Sequence, residues 1–331
     1  MKNNKSLKYL GITFGVLLLI WILTILFGAG KADRNIKSKL FDADTSAVTK
    51  IIISPKRTGK NVTETKLLRD NGKWLVVISA KKKVSVPKDK INGLLRTIEN
   101  IKILRLASKS PRKWVAFQVD TTATRVKVFD GSDLIADFRV GKLNFKGRNR
   151  IFTYVRNNDE NETYVTEGFL GATFNRTPNS FRNNYLLKSN YKDWSKLQFD
   201  YPADSSFTID AKNNNWFVKN TKLDSAETVK YLRAIQNLSS SNFIDEFPDS
   251  LSKTPVMILT ITEKSGKIHT IKCYGNEKLW VLQSSDNTEA YFNGNKNKLR
   301  ERIFKSKEDF LKHKKSKSRR VKKDYKRHIK K

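Results

Sequence analysis

The chain has 331 residues, with 66 Lys and Arg against 32 Asp and Glu, for a formal net charge of +34. Hydrophobic residues at 38% and aromatics at 11% suffice for a packed core, which excludes a globally disordered chain. The one cysteine, Cys273, excludes an internal disulfide, and with three histidines it assembles no zinc spacing.

Taken from its start, the chain opens with a head over residues 1–8. An uncharged run of 21 residues, Tyr9 to Ala29, follows. At about 1.5 Å per residue it makes a helix of about 31 Å, close to the hydrocarbon thickness of a bilayer, so a transmembrane signal anchor is expected there. Lys2, Lys5 and Lys8 precede it, while Lys31, Arg34, Lys37 and Lys39 follow. The expected orientation is a short cytoplasmic head with the bulk of the chain outside, in the cytoplasmic (inner) membrane. No cysteine lies near the run, which excludes a lipoprotein anchor. A tether is expected over 30–41.

Beyond it the chain reads as two copies of one unit, over 42–190 and 191–313. Val48 to Ser54 has the β-branched density of a strand. Asp70-Asn71-Gly72 between strand-like runs predicts a hairpin, because type I′ turns need positive φ. After Pro87, the spacing of Ile91, Leu94, Leu95, Ile98 and Ile101 predicts an amphipathic helix. The second copy repeats these signals. Asn213-Asn214-Asn215-Trp216 echoes Asn71-Gly72-Lys73-Trp74, and a capping-box-like Asp224 with Glu227 opens the ladder Val229, Leu232, Ile235, Leu238. Hairpins turning at Asp130-Gly131 and at Ser265-Gly266 follow, each ending on a glycine, Gly141 and Gly275. Residues 314–331 form a basic tail in which like charges repel and little can be buried, so it is expected to be disordered. The expected fold class is α+β: an N-terminal transmembrane helix, then two tandem repeats, each an antiparallel sheet with covering helices, and the tail.

The run Trp114-Val115-Ala116-Phe117-Gln118-Val119-Asp120, with Phe138-Arg139-Val140-Gly141-Lys142, Thr153-Tyr154-Val155-Arg156 and Phe181-Arg182-Asn183, carries a resemblance. It resembles an uncharacterised bacterial family, catalogued as domain of unknown function 4340. The resemblance covers residues 40–190 well and the second half more loosely, where Tyr-Val-Arg is reduced to Leu279-Trp280-Val281. It implies a one-anchor membrane protein of a kind common in Bacteroidota, often encoded beside an ABC-transporter accessory subunit of the gliding-motility type. The family carries no known activity, so no catalytic residue is transferred, and the tail lies outside its pattern.

The chain has no nucleophile elbow, no P-loop and no dinucleotide fingerprint. His269 alternates along a predicted strand and reads as a surface or partly buried polar residue, Cys273 as a small buried apolar one. Asp245, Glu246 and Asp249 lack the spacing and glycine turn of a calcium loop and read as a solvated loop. Paired carboxylates for hydrolysis are a matter of space, and nothing singles out two. The expectation is a non-enzyme with no catalytic residue, cofactor or metal.

One constellation points to binding. Lys142, Lys146, Arg148, Arg150 and Arg156 surround Phe145, Phe152 and Tyr154, and cations interleaved with aromatics hold anionic sugars or strands. The competing reading is that Phe152 and Tyr154 pack inward while the cations are solvated. The ligand or partner surface is therefore expected at Lys142, Lys146, Arg148, Arg150, Tyr154 and Arg156. Expected partners are the membrane through Tyr9 to Ala29, ABC-transporter or motility subunits, and acidic polymer or anionic lipid through 314–331. Nucleic acid is the least favoured.

Overall fold

The computed structural model describes residues 4–28, 37–42, 44–56, 63–147 and 150–311, with side chains throughout except at 4–8, 24–28 and 146. It divides into two compact units, Met1–Arg182 and Asn183–Lys331. Both are mostly antiparallel sheet with few helices, which corrects the expected α+β class: period-two alternation, which makes strands, fills far more of the chain than the three- and four-residue spacing that makes helices.

The first unit begins with helix α1 (Asn4–Gly28). The transmembrane anchor expected over Tyr9 to Ala29 is corrected here: among the described residues no helix is long and apolar enough to cross a membrane. The basic tail over 314–331 lies outside the described residues, as does most of the tether. Leu40, expected in the tether, is instead buried in the unit's core.

The first sheet is built from β1 (Lys50–Ser54), β2 (Thr65–Asp70), β3 (Lys73–Ser79), β4 (Lys82–Ser85), β5 (Ile103–Ser108), β6 (Thr124–Asp130), β7 (Asp133–Lys146), β8 (Arg150–Asn157) and β9 (Thr163–Glu167). Their spatial order is β4-β3-β2-β1-β6-β7-β8-β9-β5. The β2–β3 turn places Asn71 and Gly72 at φ 47° and 75°, the left-handed pair that an Asn-Gly hairpin needs. Strand β4 lies at one edge and β5 at the other, and the intervening chain forms helix α2 (Lys88–Glu99). That helix buries Ile91, Leu94 and Ile98 in the core beside Ile51, Ile53, Leu67 and Phe138. Each such side chain contributes about 2 kcal/mol by leaving water. Helix α3 (Trp114–Phe117) packs with a smaller cluster around Val119, Tyr154 and Val165, and α4 (Leu170–Phe174) buries Leu170 and Phe174 in the main core.

The second unit adds β10 (Tyr185–Lys188), then β11 (Trp194–Asp200), β12 (Phe207–Lys212), β13 (Asn215–Val218), β14 (Thr221–Lys222), helix α5 (Ser225–Ile235), β15 (Asn237–Ser239), β16 (Phe243–Ile244), β17 (Met257–Glu263), β18 (Ile268–Asn276), β19 (Leu279–Ser284), β20 (Asn287–Asn293) and helix α6 (Leu299–Ile303). Its sheet runs β14-β13-β12-β11-β17-β18-β19-β20-β16, the same path strand for strand as the first. Asn213 and Asn214 take φ 48° and 60°, so the hairpin turn recurs with asparagine where the first copy has glycine. The Asp224 carboxylate accepts from Ala226 N at 2.9 Å and Glu227 N at 3.1 Å, capping α5. Even the small β10–β15 pair has a counterpart, the bridge between Lys39 and Lys102 in the first unit.

The hairpin-ending glycine Gly275 sits at φ 96°, and a Cβ there would lie 2.1 Å from the Leu279 carbonyl oxygen. Gly275→Ala is expected to destabilise the second unit by about 3 kcal/mol or more, read as a lowered urea midpoint by circular dichroism.

Candidate functional site

Strands β7 and β8 bring part of the expected binding constellation together. Their register opposes Lys146 to Arg150, Phe145 to Ile151 and Asn144 to Phe152, then slips between Leu143 and Val140. The slip lies beside Gly141, where a Cβ would meet the Phe117 carbonyl oxygen at 2.5 Å. Only glycine allows the α3 segment to lie that close on the strand. Phe117 then stacks on Tyr154 with centroids 4.5 Å apart, and Lys142 Nζ stands 5.9 and 5.8 Å from the two ring centres. Asn144 Nδ2 donates to the Tyr154 hydroxyl at 3.3 Å.

The six residues do not form one surface. Tyr154 is buried, Lys142 half-buried and Arg150 exposed. Lys146 ends β7 with its side chain undescribed, and Arg148 lies outside the described residues. Arg156, 3% exposed, turns inward. Its Nε donates to Val119 O at 3.2 Å, and its Nη1 lies 3.2, 3.1 and 3.0 Å from the carbonyl oxygens of Asn157, Asn158 and Glu160. The guanidinium lies 3.8 Å over the Trp114 ring. Burial, then the neighbouring Arg139, pull its pKa below the ordinary arginine value. Arg156 therefore ties the Asn157–Glu160 turn and the α3 segment to the sheet.

The second constellation lies in the second unit and corrects the reading of His269 as a surface or partly buried residue: its side chain is fully buried. Ring Nδ1 lies 2.8 Å from both Asp286 carboxylate oxygens, and Nε2 lies 2.9 Å from Glu263 Oε1. The Ser189 hydroxyl also donates to Glu263 Oε1, and Trp194 Nε1 donates to Ser189 Oγ at 2.9 Å. Hydrogen bonds from Ser189 and His269 hold the Glu263 carboxyl down to about 2. The alternation His269, Ile271, Cys273 on the inward face of β18 was the available signal. Its partners, six and seventeen residues away, meet it only through the fold. Ser189 is bonded to a carboxylate rather than to the ring, and both ring nitrogens are occupied, so this is not an activated nucleophile.

A polar groove of about 810 Å³ lies in the first unit between residues 37–42, 134–137 and 157–160. Its lining pairs Lys37 with Glu160, which also accepts from Asn157 Nδ2 and the Tyr164 hydroxyl, each at 3.0 Å. Among the described residues no group of three or more His, Cys, Asp or Glu is placed to hold a metal ion.

Two sheets of identical strand order, with their buried charges bonded internally, define a tandemly repeated antiparallel sheet protein. The chain belongs to the family described as Domain of unknown function (DUF4340), whose model matches residues 74–256. Neither a curated protein nor a solved structure matches it.

Proposed function

We propose that this chain is a non-enzymatic accessory protein whose sheets dock, outside the cytoplasm, on a membrane assembly of the ABC-transporter or gliding-motility type. What supports the reading is the fate of the buried ionisable groups. Arg156 spends its bonds on carbonyl groups of the first unit, and His269, Glu263 and Asp286 spend theirs on one another in the second. Acid–base or nucleophilic work needs such groups turned toward a substrate. Membrane association then comes through the partner rather than through a spanning helix. Tagged chain captured from gently solubilised native membranes is expected to bring down transporter or motility subunits in near-stoichiometric amount. Capture of the chain alone would end this reading.

A second reading, a binding module for acidic glycan or anionic lipid, is favoured by one observation. Exposed Arg150 and half-buried Lys142 flank Phe145, whose side chain is also exposed. It expects affinity that falls steeply with salt.

A further inference from the structure

Ahead of β1 and β11 the two copies correspond bond by bond. Asp44 Oδ1 accepts from Ser46 N at 2.8 Å, and Asn190 Oδ1 accepts from Lys192 N at 3.2 Å. Thr49 Oγ1 donates to Phe129 O, and Ser195 Oγ donates to Thr262 O on the matching strand. Thr45 of the first copy therefore corresponds to Tyr191 of the second. The cross-strand pair Arg69–Trp74 of β2–β3 likewise matches Ala211–Trp216 of β12–β13. Val86 N and Leu223 N donate to the two tryptophan carbonyls at 2.8 and 2.9 Å, just before each helix. Two residues further on, Lys88 opening α2 matches Ser225 opening α5.

These three positions of the first unit, Thr45, Arg69 and Lys88, line a groove of about 420 Å³, within the ~300–1,000 Å³ range of ligand clefts. Its floor is apolar: Trp74, Val86 and Ile91 belong to the core, and Leu95 packs against it half-buried. Lys88 shares one wall with Ile91 and Asn92, three and four residues further along α2. Arg69 lies directly across from Trp74 and so on the same face of the sheet. Its Nη1 donates to Ser46 O at 2.5 Å, which fixes the guanidinium at the rim, and an arginine has further donors for an anion. Among the described residues no acid lines the groove. Asp70 alternates to the opposite face of β2 from Arg69, and the Asp44 carboxylate is turned to the Ser46 amide. In the second unit the Tyr191 ring packs against the core, with the Arg233 guanidinium of α5 5.9 Å over it. There both rim cations are replaced, by Ala211 and Ser225.

We propose that this groove receives an aromatic side chain of a partner polypeptide, with carboxylates beside that ring meeting Arg69 and Lys88. In the second copy the chain supplies the ring itself, as Tyr191, and the cations are dispensed with; in the first copy the place is left open. Two cations over an apolar floor, with no acid in the lining, select an acidic neighbourhood around the incoming ring. A polypeptide is favoured over a bilayer because the floor is recessed: Trp74 is 8% exposed and Ile91 3%. A single side chain reaches such a floor, and a flat membrane surface does not. The inference rests on the docking reading, whose partner it describes.

The test uses the full chain and a fluorescein-labelled short peptide with one central tyrosine between pairs of aspartates, followed by anisotropy. Thr45→Tyr writes the second copy's ring into the first unit and is expected to weaken binding about tenfold or more, with the urea midpoint unchanged or raised. Lys88→Glu is expected to weaken binding about tenfold as well. Lys83→Glu is the charge control, exposed on the opposite face of β4 from buried Val84, and should change it less than about twofold. The same peptide with alanine for tyrosine should bind about tenfold more weakly. Equal binding of the two peptides, binding untouched by Thr45→Tyr, or no binding below about 1 mM overturns the proposal. In capture from native membranes, the Thr45→Tyr chain is expected to lose subunits that the parent chain retains. Equal capture by both ends the groove proposal and leaves the docking reading standing. Capture of nothing by the parent chain ends the docking reading and, with it, the partner assigned to the groove.

Discussion

Arg156→Ala is expected to destabilise the first unit by about 4 kcal/mol. The side chain serves four carbonyl oxygens from two parts of the chain, and charge-assisted bonds of this kind contribute about 1.5–3 kcal/mol each without adding fully. Its stacking on Trp114 contributes roughly 2 kcal/mol more where it is desolvated. Arg156→Lys should recover little, since an ammonium group has neither the planar fork nor the ring-stacking face. Urea unfolding followed by fluorescence measures the loss, and a cycle with Trp114→Ala isolates the stacking part. Unchanged stability with lost ligand affinity would instead return Arg156 to a binding role.

His269→Leu is the second large effect, about 3 kcal/mol in the second unit. The ring is the shared partner of Glu263 and Asp286, and its loss leaves two carboxylates facing a fully buried apolar side chain. The loss should depend on pH. Glu263 is depressed from 4.5 to about 2, so its contribution is fully present above its unfolded value and disappears as pH falls through about 2. The native chain should therefore lose stability steeply between about pH 4.5 and 2. His269→Leu should flatten that slope but not abolish it, because Ser189 still bonds Glu263. Urea midpoints of both proteins across this range decide the matter. Parallel curves would mean that Ser189 alone sets the Glu263 carboxyl.

The local grammar of the chain was readable in advance. Asn71-Gly72 and Asn213-Asn214 make their turns because contiguous residues tolerate positive φ. The ladder of α2 follows from apolar residues three and four apart. The internal repeat was visible because both halves spell these signals in the same order, and each half forms the same sheet. The anchor at Tyr9 to Ala29 was an inference from hydropathy and length, and among the described residues no helix meets the requirement.

Contiguous sequence by itself therefore determined the turns, the strand alternation and the helix ladders, since each depends on neighbours a few residues apart. Tertiary structure alone decided the rest. It placed β5 beyond β9, carried Arg156 to the Val119 carbonyl 37 residues away, and closed Glu263 and Asp286 around His269. A buried charge takes its role from partners that share no stretch of chain with it, and only the register of the strands brings them within bonding distance.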